Sequence, residues 1–245
     1  MACEFVWADL STHDQRSAER FYKQVFGWTF HDLGDGYRVG ERDGLWTAGL
    51  YPMPDKFRKI GMPTFWMSYI RVPQLEPVVE SAKAHGGKVE VNPMPATGGG
   101  RVALIRDPAG AGFTCYEGDE LVSTNTATPG LRHRHVLHVS SLEAVAEFYN
   151  RLFDWTLRPH AHPGRHDLVT PDDQIVAAVQ VTPNELKGNF EYWGVYFAVD
   201  DIEQASTQLT AAGAEIVETQ SINGTPELLA YDTQGAAFYI TPPGA

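Results

Sequence analysis

Phe21-Tyr22-Lys23-Gln24-Val25-Phe26-Gly27-Trp28-Thr29-Phe30 returns as Phe148-Tyr149-Asn150-Arg151-Leu152-Phe153-Asp154-Trp155-Thr156-Leu157. A fixed-period echo of this kind means that one structural unit has been duplicated. What both copies keep belongs to the fold; what one copy keeps is a candidate for chemistry. Ala18, Phe21, Tyr22, Val25 and Phe26 make one apolar helical stripe, and Val145, Phe148, Tyr149, Leu152 and Phe153 make its counterpart. Gly27 stands where a left-handed helix terminus favours it. Ser11-Thr12-His13-Asp14 and Ser141 offer capping oxygens ahead of the two helices.

Outward from the repeat, Phe5–Leu10 reads as a strand before the first helix. Strand-like runs follow it around Trp28–Leu33, Tyr37–Glu41 and Thr47–Tyr51, split by Gly-Asp-Gly and Arg-Asp-Gly turns. The order is βαβββ, and it restarts at once. Thr64–Val72 is strand-like, and Leu75, Val78, Val79 and Ala82 form a stripe that ends at Gly86-Gly87. Runs at Lys88–Val91, Val102–Arg106 and Gly112–Tyr116 complete the second module, with an Asp107-Pro108-Ala109-Gly110 turn before the last. The second half repeats the scheme. It has strands at Arg134–Val139 and Trp193–Val199 and a stripe of Ile202, Ala205, Leu209 and Ala212. Leu228–Tyr231 and Ala236–Thr241 flank the turn Asp232-Thr233-Gln234-Gly235. Residue n matches residue n+127 through Trp7/Arg134, Phe21/Phe148, Trp66/Trp193 and Gly86/Gly213, and a two-residue slip precedes Asp107/Asp232. The expected class is α+β: four βαβββ modules in two tandem half-barrel domains, 1–118 and 134–245. A linker over 119–133, rich in Ser, Thr, Asn and Pro-Gly, joins them. The modules can pair in order or first with fourth.

Composition bounds the partners. With 19 Lys+Arg against 31 Asp+Glu the net charge is −12, which argues against a nucleic-acid partner or an anionic membrane surface. No apolar run reaches the roughly 18 residues of a membrane span, and no basic-then-apolar leader is present. Two cysteines, Cys3 and Cys115, exclude a disulfide framework, so a cytoplasmic location is expected. Gly98-Gly99-Gly100 lacks the Lys-Ser/Thr sequel of a phosphate loop and reads as a hairpin connection.

Four βαβββ modules, the FY-x-x-x-F-x-W helix ends and the D-P-x-G turn resemble the vicinal oxygen chelate superfamily. That group includes glyoxalase I, bleomycin-resistance proteins and extradiol dioxygenases. Trp7-Ala8-Asp9-Leu10 followed by Phe21–Trp28 resembles the pattern of its tandem bacterial members. The resemblance implies two glyoxalase-like domains with a ligand cavity in each cupped sheet. In the superfamily's enzymes His and Glu side chains hold a divalent metal there, a Lewis acid for substrates with vicinal oxygens. The corresponding positions here are Trp7 and Arg134 on the leading strands, Met67 and Gly194 on the fifth strands, and Thr114 and Tyr239 on the last; the fourth strands offer only Gln180. These are not the His/carboxylate set that divalent ions demand, and Arg repels a cation. The resemblance with this departure implies a protein that binds a small aromatic or amphipathic molecule without the customary metal or any other cofactor. The expected state is a monomer or homodimer.

Strand alternation nominates Trp7, Asp9, Met67, Tyr69, Arg134, His138, Tyr196 and Tyr239 as the ligand-facing set. Trp7 can stack on a flat ligand or fill the core. Asp9, if buried, needs a partner. Arg134 and Tyr239 can hold a carboxylate or phenolate, or Arg134 can pair with a nearby acid. Trp66 and Trp193 have the opposite parity and read as helix-to-sheet core. The histidines of the second half, His133, His135, His138, His160, His162 and His166, carry the alternative: a metal-dependent lyase, isomerase or dioxygenase with its divalent ion moved onto His138, His160 or His162. No catalytic residue can be assigned.

Overall fold

The computed structural model describes residues 3–121 and 128–243. Its first half runs β1 (Glu4–Thr12), α1 (Gln15–Phe26), β2 (Thr29–Asp32), β3 (Arg38–Arg42), β4 (Leu45–Pro52), α2 (Asp55–Arg58), β5 (Phe65–Arg71), α3 (Leu75–Ala84), β6 (Lys88–Pro95), β7 (Arg101–Arg106) and β8 (Gly112–Glu117). The second half runs β9 (Arg132–Val139), α4 (Glu143–Phe153), β10 (Thr156–Pro159), β11 (Arg165–Val169), β12 (Ile175–Val181), α5 (Asn184–Lys187), β13 (Tyr192–Ala198), α6 (Ile202–Ala211), β14 (Glu215–Ile222), β15 (Thr225–Tyr231) and β16 (Ala237–Thr241). Each half forms one eight-stranded sheet, in the orders β2-β3-β4-β1-β5-β8-β7-β6 and β10-β11-β12-β9-β13-β16-β15-β14. Four βαβββ modules are therefore present. The slip in the repeat falls in one hairpin: Ala96–Gly100 joins β6 to β7, whereas Asn223-Gly224 alone joins β14 to β15. Residues 122–127 of the expected linker lie outside the described residues, and its last two, Arg132 and His133, already belong to β9.

The duplicated helices end alike through different residues. Gly27 and Asp154 both take left-handed conformations, φ 70° and 57°, and each backbone N–H returns to a carbonyl of the last turn. Gly bears this at no steric cost, and Asp is among the few residues that tolerate it. Asp14 caps α1 by accepting from the Ser17 backbone N–H. The expected cap at Ser141 is not made: its hydroxyl bonds the Glu143 side chain, and no side chain caps α4.

Two compact units emerge, and neither is one half of the chain. One core joins Ala18, Phe21, Tyr22 and Phe26 of the first module to Val195, Phe197, Leu209, Phe238 and Ile240 of the fourth. The other joins Leu75, Val79, Ile105 and Phe113 of the second module to Phe148, Tyr149, Phe153 and Trp193, of the third and the start of the fourth. A three-membered relay recurs in each. Trp66 Nε1 donates to Tyr22 OH (3.1 Å), which donates to Asp232 Oδ2 (3.0 Å); Trp193 Nε1 donates to Tyr149 OH (2.9 Å), which donates to Asp107 Oδ2 (2.9 Å). The turn carboxylates also accept backbone N–H groups, Gly110 and Ala111 for Asp107, Gln234 and Ala236 for Asp232. Every buried polar atom of the relay thus has a partner, as burial demands. Trp66 and Trp193 are core residues, as their parity predicts.

Candidate functional site

The helix-packing residues of β1, Ala8 and Leu10, alternate with Trp7 and Asp9, which therefore stand on the helix-free face of the first sheet. The same alternation puts Met67 and Tyr69 on that face of β5, and Arg134, His138, Tyr196 and Tyr239 on the helix-free face of the second sheet. Tyr69 and Arg134 are half-buried; the other nominated residues are buried.

Trp7 and Asp9 meet Tyr37, which precedes β3. Tyr37 OH donates to Asp9 Oδ1 at 2.6 Å, and Trp7 Nε1 reaches Asp9 Oδ1 at 2.8 Å and Tyr37 OH at 2.9 Å. Burial and the Asp9 carboxylate hold the Tyr37 phenol well above its ordinary pKa and push Tyr51 up to about 12. Both phenols are therefore neutral hydroxyls at physiological pH. Gly49, the β4 partner of Asp9, makes this group possible: a Cβ there would lie 2.0 Å from Asp9 Oδ1 and 2.1 Å from Tyr37 OH.

In the second sheet Arg134 is ion-paired with Glu227 on β15 and lies over the Tyr196 ring, 4.9 Å from its centroid. Tyr196 stacks on Tyr239 at 4.4 Å and 7°, because β13 and β16 run parallel with these residues in register. Tyr196 OH and Gln220 Nε2 donate to Glu227 Oε2 at 3.1 and 3.2 Å. The result is a layered stack of guanidinium on ring on ring, anchored by one fully buried carboxylate. Planar Arg on aromatic faces is favourable both as cation–π and as π-stacking.

His138 belongs to a third group. Its Nδ1 lies 2.9 Å from Thr182 Oγ1 and its ring stacks on Tyr192 at 5.0 Å. Burial first, then the charges of Arg165 and Lys187, push its pKa down to about 3, so the imidazole is neutral near pH 7. Register aligns His138 with Gln180 and Gln180 with Arg165 across β9, β12 and β11. Gln180 donates Nε2 to the Val181 carbonyl, and its buried Oε1 accepts no hydrogen bond among the described residues.

His160 and His162 do not stand on a shared strand face. They lie in the turn between β10 and β11, where the His162 backbone N–H bonds His160 Nδ1. Among the described residues no three His, Cys, Asp or Glu side chains are placed to share a metal ion. At the positions that the resemblance assigns to metal ligands stand Trp7, Met67, Thr114, the paired Arg134, Gly194, the stacked Tyr239 and the amide of Gln180, a set without the His and carboxylate groups that fit a hard or borderline divalent ion.

Sequence reasoning nominated Arg134, Tyr196 and Tyr239 but not Glu227, which holds them together. Its signal was faint: one acid at the entry to the apolar run Leu228–Tyr231. Tyr37 and Gly49 carried none, because both sit in ordinary turn and strand contexts.

The sequence model of the Glyoxalase/Bleomycin resistance protein/Dioxygenase superfamily matches residues 4–114, and that of the Glyoxalase-like domain matches residues 134–241. The chain belongs to this superfamily, with one such domain in each half. A Mycobacterium bovis protein, CFP32, provisionally named as a glyoxylase, is 28% identical over 97% of this chain and 94% of its own length. The anthracycline biosynthesis protein DnrV of Streptomyces peucetius is 26% identical over 86% of this chain and 82% of its own. Among solved structures, the Mn(II)-bound glyoxalase from Novosphingobium aromaticivorans aligns with TM-score 0.68 at 14% identity, covering 98% of this chain and 81% of that one. The 2,3-dioxygenase LapB from Pseudomonas sp. KL28 aligns with TM-score 0.68 at 13% identity, covering 99% and 92%. At such identities these structures establish the shared fold alone. No helix among the described residues is long and apolar enough to cross a membrane.

Proposed function

We propose that the chain binds a small aromatic or amphipathic molecule against the helix-free faces of its sheets, without a resident divalent metal. The observation that carries this reading is the Arg134–Tyr196–Tyr239 stack, two of whose members, Arg134 and Tyr239, fall at positions that the resemblance assigns to metal ligands. Metal ligands hold a substrate by its oxygens; a guanidinium and ring platform holds it by its π-face. Asp9 and the neutral hydroxyl of Tyr37 offer polar groups to a ligand on the first sheet. The anthracycline biosynthesis relatives favour the same class, since anthracyclines are flat fused-ring aromatics. Cys3 and Cys115, both free thiols, are in keeping with the cytoplasm.

Metal analysis and native mass spectrometry of the full chain, followed by titration with 1,4-dihydroxyanthraquinone read by tryptophan fluorescence, test the proposal. Saturable binding, unchanged by a chelator and weakened at least tenfold by Arg134→Met, is expected. About one divalent ion per chain, or no saturable binding, would overturn it and restore the metal-enzyme alternative.

A further inference from the structure

Each sheet has two edges, and the duplication allows them to be compared. β2 and β10 are edge strands of four residues each, too short to template much pairing. β6 and β14 are the other edges, of eight residues each, and they occupy matching positions in the repeat. The β6 edge is blunted. Pro93 and Pro95 remove two N–H groups, and Lys88 and Arg106 hold the Glu90 carboxylate at 3.0 Å. Proline and charge are the ordinary protections of a sheet edge. β14, Glu215-Ile-Val-Glu-Thr-Gln-Ser-Ile222, contains no proline and no lysine or arginine. One copy of the module has therefore closed with prolines an edge that the other guards only with Glu215, Glu218 and one bulge.

The register shows which groups that edge presents. Asn223 and Gly224 form the two-residue turn with φ 50° and 86°, and Ile222 faces Thr225 across it. The residues flanking such a turn exchange hydrogen bonds, and bonded and non-bonded pairs then alternate. Ser221/Pro226 and Thr219/Leu228 are thus non-bonded pairs, and Pro226, which has no N–H to give, fits that place. The N–H and C=O groups of Thr219 and Ser221 consequently point away from β15, and both residues are exposed.

We propose that β14 pairs antiparallel with β14 of a second copy of this chain, about a two-fold axis at Thr219. An edge strand is complementary to itself only in registers that set outward-pointing groups opposite one another, and this register does so. Thr219 faces Thr219, Glu218 faces Gln220 and Val217 faces Ser221; Ile216, beyond the bulge, lies on the helix side and stays outside the pairing. No like charges are directly opposed, and Thr–Thr is a favourable cross-strand pair. Val217, 37% exposed, gains cover. The bulge between Ile216 and Glu218 shortens the ladder, so the interface lies at the small end of specific contacts. The dimer forms at high protein concentration and dissociates on dilution. Because each copy carries a net charge of −12, added salt strengthens it.

Sedimentation velocity of the full chain between about 5 and 500 µM, at low and at about 0.5 M salt, tests this. The expected result is a mass that rises from one chain toward two and does so at lower concentration in salt. Thr219→Pro, which deletes an N–H unused inside the sheet, and Thr219→Lys, which opposes two ammonium groups across the axis, should both stay at one chain throughout. Asn92→Pro on β6 should associate like the parent chain. A parent chain that remains a monomer at the highest concentration would overturn the proposal. So would a dimer that persists in Thr219→Lys with its thermal transition intact, which keeps the test sound if the proline variant does not fold.

Discussion

Glu227 is a fully buried carboxylate that receives a guanidinium, a phenol and an amide. Such an arrangement is expensive to break by half: removing one partner leaves the other charge buried and uncompensated. Glu227→Gln should lower the unfolding free energy by about 3 kcal/mol and free Arg134 to leave the Tyr196 face. Urea denaturation reads the first effect, and loss of anthraquinone affinity reads the second. A destabilisation under about 1 kcal/mol would mean that Arg134 finds another anion. At this scale the sequence was legible wherever alternation applies. One strand with a known buried parity places Trp7, Asp9, Arg134 and Tyr239 on the helix-free faces. It was not legible for Glu227, whose partner Arg134 is 93 residues away, since no local pattern reports a contact of that span.

The elements are tied together by the two Trp–Tyr–Asp relays, and burial raises the pKa of both turn carboxylates. Burial pushes Asp107 up to about 6, against which the Tyr149 hydroxyl and the turn N–H groups pull down. The folded value lies above the ordinary 3.8, so the folded chain binds this proton more readily than the unfolded one. The associated stability is complete below about pH 4 and is lost as pH rises through 6. Between pH 7 and pH 5 the parent chain should gain about 1 kcal/mol from this group, a gain absent in Asp107→Asn. Denaturation of both proteins at the two pH values isolates it. His138, whose pKa is depressed, works in the opposite direction, its contribution falling as pH drops below about 6.5, but it is common to both proteins. The helices carrying these relays were readable from their stripes. β14 was not, because its apolar residues, Ile216, Val217 and Ile222, are interrupted by Glu218-Thr219-Gln220-Ser221 and keep no alternation. The short helices α2 and α5 were missed because four residues are too few to show a period.

For the whole molecule, the repeat and the cores follow different boundaries. The decapeptide echo divides the chain at its middle, yet each core takes residues from both halves. Residues 1–118 produced alone would lack the Val195, Phe197, Phe238 and Ile240 side of one core and the Phe148, Tyr149 and Trp193 side of the other. That fragment should show no cooperative thermal transition, and mixing it with residues 134–245 should restore one; a sharp transition in either fragment alone would contradict this. The repeat's period exposed the duplication, but a period says which modules are alike and not which ones touch.

The bond from Tyr22 to Asp232 spans 210 positions. The core that α1 buries is not complete until β15 and β16 have left the ribosome. Until then the nascent chain holds Phe21, Tyr22, Phe26 and Trp28 without the cover of Phe197, Phe238 and Ile240, a ready grip for a chaperone. Assembly of this core waits on β15 and β16, and their arrival, rather than any early helix, sets when it becomes native.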